Sequence, residues 1–214
     1  MKRLFTVSLA TLALFCLATP SFGQRLSAGP KVGVNFSTWS GDIEDVDTKT
    51  GFNVGAVFGI DLSEYFRLQI EGQYVQKGVK DSEQGLTAKI KVDYIEFLFP
   101  ATLTIPTGSG AVTPRFFAGP SLAFEMNCTV TAEYQGSDDS ASCSDGGLES
   151  KSVDFGLLIG AGLDVATGNS GAVFLDILYN LGLVNINDTP GGEDVSVKNR
   201  NIQIDAGYKF FFGG

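Results

Sequence analysis

The sequence contains no histidine. That removes the usual general base and the usual metal ligand at neutral pH, and with them the Ser–His hydrolysis a lipid-modifying barrel would use. No stretch beyond residue 23 holds 18 consecutive apolar residues, so crossing a membrane by a helix is excluded. No basic stripe exists to face phosphates, which argues against nucleic acid. Cysteine occurs three times, and only Cys128 and Cys143 lie beyond the first 23 residues. Two cysteines without histidine fall short of a zinc ligand set.

What is present begins with an export signal. Lys2 and Arg3 form a positive start, Leu4 to Ala18 an apolar run, and Pro20 breaks it before Ser21-Phe22-Gly23. Small residues at 21 and 23 suit cleavage before Gln24. The run is shorter than the ~20 residues of a spanning helix. Residues 1–23 are therefore expected to be a cleaved signal peptide and 24–214 one mature domain. Without Lys2 and Arg3, 13 basic residues face 24 acidic ones, a net charge of −11. In an exported chain, Cys128 and Cys143 are expected to close a loop disulfide, with two free thiols as the alternative.

Period-2 alternation dominates the mature chain. Eight segments carry it, at about 30–39, 51–61, 65–78, 89–105, 112–125, 152–165, 172–183 and 200–212. In the second, Phe52, Val54, Ala56, Phe58 and Ile60 share one face, opposite Asn53, Gly55, Val57, Gly59 and Asp61. In the sixth, Val153 to Val165 at every second position oppose Asp154, Gly156, Leu158, Gly160, Gly162 and Asp164. Most segments reach the ~9–11 residues a tilted strand needs to cross a bilayer, against about 5–6 for ordinary strands. A soluble sandwich would put many Lys, Glu and Thr on its outer face. Here the second face is glycine with scattered charges, which suits a crowded lumen.

Connections alternate in length. Short turns join segments two and three, four and five, and six and seven. Long polar connections at roughly 40–50, 79–88, 126–151 and 184–199 then all fall at one end, as extracellular loops do in outer-membrane barrels. Trp39, Tyr65, Phe66, Tyr94, Phe116, Phe124, Tyr179, Tyr208 and Phe210 cluster near segment ends and are expected at the two interfaces. The expected fold is a closed, eight-stranded, antiparallel up-and-down transmembrane β-barrel.

The strands also resemble a family. Gly29 to Ser37, Tyr94 to Leu98, Phe117 to Ser121, Asp154 to Asp164, Tyr179 to Ile186 and Ile204 to Phe210 are similar in order and spacing to the outer-membrane barrel domain of Bacteroidetes and related bacteria, the porin-family or PorT-like barrels. Leu178 stands where that family often has arginine, so one lumenal ion pair implied by the resemblance is missing here. Gly213 and Gly214 follow the terminal aromatics that the resemblance assigns to barrel insertion.

The chemistry expected inside is structural. Glu71, Glu96, Glu125, Asp154, Asp164, Asp176 and Asp205 are placed inward with Arg67, Lys77, Arg115 and Lys209, because buried charges need partners. Asp42-Ile-Glu-Asp-Val-Asp47 gathers four carboxylates but lacks the glycine and later glutamate of a calcium loop. It is expected to be a solvated acidic loop. No catalytic residue, cofactor or metal is expected. The implied partners are outer-membrane lipid and the barrel assembly machinery of a Gram-negative cell. The leading functional expectation is a non-enzymatic barrel serving envelope structure or surface interaction. A narrow solute channel is the alternative, and a lipid-modifying enzyme stands last.

Overall fold

A computed structural model describes residues 25–43, 46–83, 86–108, 110–134, 137–145, 147–168, 170–189 and 195–213. The expected signal peptide lies outside these residues, as do Glu44 and Asp45 of the acidic loop. The described strands are β1 (Leu26–Gly41), β2 (Asp47–Asp61), β3 (Phe66–Glu83), β4 (Leu86–Leu98), β5 (Ala101–Thr104), β6 (Val112–Tyr134), β7 (Ser137–Ser142), β8 (Val153–Ala166), β9 (Gly171–Gly182) and β10 (Val197–Phe212).

Every pairing among them is antiparallel, and β1 pairs with both β2 and β10, which closes the sheet on itself. Strands β4 and β5 share one position in the wall, since both pair with β3 on one side and β6 on the other. Phe99 and Pro100 interrupt them; a proline has no N–H for a ladder, so the strand breaks there. The wall therefore has eight positions, and β7 lies off the ring as a hairpin partner of β6.

The polarity of the two faces is reversed from that of a water-soluble protein. On β1, Lys31, Asn35 and Ser37 are buried while Val32, Val34 and Phe36 are exposed. On β9, Asp176 and Asn180 are buried while Val173, Leu175, Ile177 and Tyr179 face outward. Ile159 on β8 is 64 % exposed and Ile177 54 %, both amid other apolar side chains. Fully burying a side chain of this kind is worth about 1.5–3 kcal/mol. An apolar belt around all eight wall positions far exceeds what a monomer leaves in water. It needs hydrocarbon. The 12 residues of β9 extend roughly 40 Å at about 3.3 Å each, and a tilt near 45° brings that to ~28 Å, close to a hydrocarbon core of about 30 Å.

Some strands run further than their alternation suggests. The polar stretch 79–88 reads as a loop, yet β3 and β4 continue pairing through Glu83 and Leu86. Within 126–151, β6 continues to Tyr134 and folds back as β7. A strand that has left the bilayer is no longer required to show an apolar face, so its hydropathy pattern ends before its hydrogen bonds do.

Candidate functional site

The barrel interior carries the charge. Near the short-turn end, Asp164 of β8 is an ion-pair partner of three cations. Arg67 Nη1 lies 3.1 Å away, Lys209 Nζ 2.9 Å and Arg115 Nε 3.0 Å. Arg67 also pairs with Asp61. Arg115 Nη2 donates to Asp176 Oδ1 at 2.6 Å. Just above, Lys31 Nζ bridges Glu71 at 2.6 Å and Asp205 at 2.8 Å. Higher still, Glu96 accepts from Lys77 Nζ and Gln73 Nε2, both at 2.7 Å, and from Asn180 Nδ2 at 2.9 Å. Asp154 accepts from Asn199 Nδ2 at 2.8 Å.

These contacts cross the barrel. Arg67–Asp164 joins β3 to β8, Glu96–Asn180 joins β4 to β9, and Gln73–Gln203 joins β3 to β10. Each tie spans three steps around the eight-position ring, nearly a diameter. Between the two polar layers, Leu98, Phe117, Leu158 and Leu178 pack into an apolar plug. Leu178 thus fills space with neighbours of its own kind, and Arg115 supplies the guanidinium from another strand. The carboxylates Glu71, Glu96, Asp164, Asp176 and Asp205 each accept from a cation or an amide on another strand, which ties the wall together.

Glycines make the crowding feasible. Arg115, Gly162 and Asp176 lie in one row across β6, β8 and β9. A Cβ on Gly162 would stand 1.7 Å from Asp176 Oδ1, and one on Gly33 2.0 Å from Asp205 Oδ1. Gly162→Ala is expected to push Asp176 off Arg115 and to cost about 1–3 kcal/mol, the usual range for an overfilled core. Urea-dependent unfolding from lipid vesicles measures it.

Three sequence expectations need correction. Glu125 meets no cation among the contacts described; it sits half-buried at a bulge and accepts from Ser150 Oγ at 2.5 Å. The extra residue there, Met126, points outward and shifts the parity of everything after it. Tyr94 is no interface residue, being fully buried against Val75, Val92 and Ala123. Trp39 packs on that same cluster and donates from Nε1 to Asn199. Phe66, Phe116, Phe124, Tyr179 and Phe210 are exposed on the outer face, and Tyr65 is exposed in the turn between β2 and β3. Lys31 and Asp61 were missed as network members, although strict alternation from Val32 and from Ile60 puts both inward.

At the long-loop end, Cys128 of β6 and Cys143 after β7 form a disulfide with a Cα–Cα separation of 5.3 Å. Asp42 caps the last loop, donating its amide to Ser196 O and accepting Ser196 N at 2.8 Å.

Residues 18–188 match the family model described as outer membrane protein beta-barrel domain. The crystal structure of neisserial surface protein A aligns with a TM-score of 0.51 and 18 % identity, over 88 % of this chain and 96 % of that one. Ail, the attachment invasion locus protein of Yersinia pestis, aligns at a TM-score of 0.45 and 16 % identity, over 86 % and 98 % of the two chains. The N-terminal barrel of Pseudomonas aeruginosa OprF gives a TM-score of 0.43 and 13 % identity, over 86 % and 97 %. No curated protein matches.

Proposed function

The chain belongs to the outer membrane protein beta-barrel domain family, and on that premise we propose that it is a non-enzymatic, occluded barrel that serves the cell envelope and presents acidic loops outside. Residues 1–23 act as its export signal, and the motifs Gly29 to Ser37 and Asp154 to Asp164 support a PorT-like branch of Bacteroidetes type. The end bearing Asp42, Asp138, Asp139 and Glu149 is read as extracellular, because the start of β1, the end of β10 and the short turns sit together at the opposite end.

The observation that carries this reading is the filled lumen. Cross-barrel ties from Arg67, Gln73 and Glu96, with the Leu98–Leu178 plug between them, leave a solute no axial path. An eight-stranded barrel is just wide enough for its own side chains. Planar-bilayer recording of the purified chain, loops intact, tests it. The expected result is no stable open state. A steady open conductance would overturn the reading and favour a narrow channel.

A further inference from the structure

The outer third of the lumen breaks the pattern below it. Membrane barrels usually have polar interiors, yet above Tyr94 and Asn199 the inward side chains turn apolar. Trp39, Ile90, Val92 and Val197 form the walls, and Leu148 and Ile186 close in from the loops. They bound a cavity of about 280 Å³, near the lower end of small-molecule sites, which run from about 300 to 1,000 Å³. The Cys128–Cys143 disulfide lies in the same wall and fixes one side of it.

The polar groups at this cavity are turned to one another. Trp39 Nε1 donates to Asn199 Oδ1 at 3.1 Å. The Glu149 amide donates to Thr189 Oγ1 at 3.1 Å, and that hydroxyl donates back to the Glu149 carbonyl at 3.3 Å. Ser150 Oγ is held by Glu125. A polar guest would therefore find its hydrogen bonds unmade, which is costly in a dry site. The charged residue among the lining side chains, Glu149, is acidic and disfavours anions. Water gains little in such a space, whereas apolar solutes occupy cavities of this kind readily. The volume is too small for a segment of protein. Below it, the Lys77–Glu96 pair and Tyr94 close the floor.

We propose that this vestibule is a dead-end binding site for a small, uncharged, apolar molecule. Occupancy is retention at the surface, without passage through the barrel.

Trp39 is the sole tryptophan of the chain, so a brominated probe, which quenches indole only on contact, reads the site directly. The full chain in lipid nanodiscs, free of detergent, is titrated with bromobenzene and separately with 4-bromobenzoate. Saturable quenching by bromobenzene is expected, with none by the carboxylate. Leu148→Asp and, from the facing loop, Val195→Asp should each weaken the saturable component at least tenfold while the barrel keeps its heat-modifiable migration. Both side chains are partly exposed, so neither variant strains the wall. Quenching that rises linearly and is unchanged in both variants would mean partition into lipid alone and would overturn the proposal. Equal quenching by 4-bromobenzoate would overturn it too.

Discussion

Replacing Asp164 with alanine is expected to destabilise the folded barrel by roughly 3–5 kcal/mol, the range for breaking a buried charge cluster by removing one partner. Arg67, Lys209 and Arg115 all converge on this carboxylate. Its loss leaves Lys209 without its ion-pair partner and puts three cations close together in a space water enters poorly. Asp176→Asn should cost clearly less, because Arg115 keeps Asp164 and an amide oxygen can still accept from Nη2. Urea titration in lipid vesicles distinguishes the two. For an unfolding slope of about 1–3 kcal/mol per molar urea, the Asp164 variant should lose about 1 M of midpoint or more. A loss no greater than that of Asp176→Asn would remove Asp164 from the centre of the network.

Ile177→Arg carries the second large effect. Ile177 lies on the outer face of β9, beside Ala161 and Ile204 on the neighbouring strands. At the midplane of a bilayer a charge on this face costs about 2–4 kcal/mol. On a water-exposed surface the same change stays within about 0.5 kcal/mol. Asp138→Arg on β7, a hairpin off the ring, supplies the water-exposed control and should be nearly silent. Vesicle-based unfolding of both variants compares an arginine in the apolar belt with one on an exposed hairpin off the ring. Equal, small effects would mean that the apolar belt does not face lipid.

The fold was legible because lipid imposes a strict rule on one face. Phe52, Val54 and Phe58, or Val153, Phe155 and Leu157, had to be apolar, and their opposite neighbours were free to be glycine or charged. That rule gave all eight wall positions their location. It also explains what stayed hidden. Thr129, Thr131 and Glu133 belong to β6 but stand outside the hydrocarbon, so nothing in their hydropathy distinguishes strand from loop. Ser137 to Ser142 forms β7 with hardly an apolar atom to announce it. The network was legible as a set of inward charges, not as pairs. Cross-barrel partners such as Arg67 and Asp164 are set by register around a closed ring, which no local pattern encodes. Glu125 keeps the inward parity of Ser121 and Ala123, opposite Tyr94, but it lies at the bulge near the loop end and its partner is the Ser150 hydroxyl, a contact from a loop that no strand alternation encodes. The apolar vestibule was least visible, since its walls come from β1, β4, β6 and β10 and its cover from two polar loops.

Migration of protein extracted from the membrane fraction, on gels run with and without boiling and with and without reductant, tests the closed, lipid-embedded barrel most directly. The ring closes through β1 with β2 and β10, and the disulfide joins β6 to the β7 hairpin outside it. The unheated chain should therefore migrate as a compact species that shifts on boiling, whether or not Cys128 and Cys143 are reduced. Absence from the membrane fraction, identical migration before and after boiling, or a shift abolished by reductant alone would contradict it.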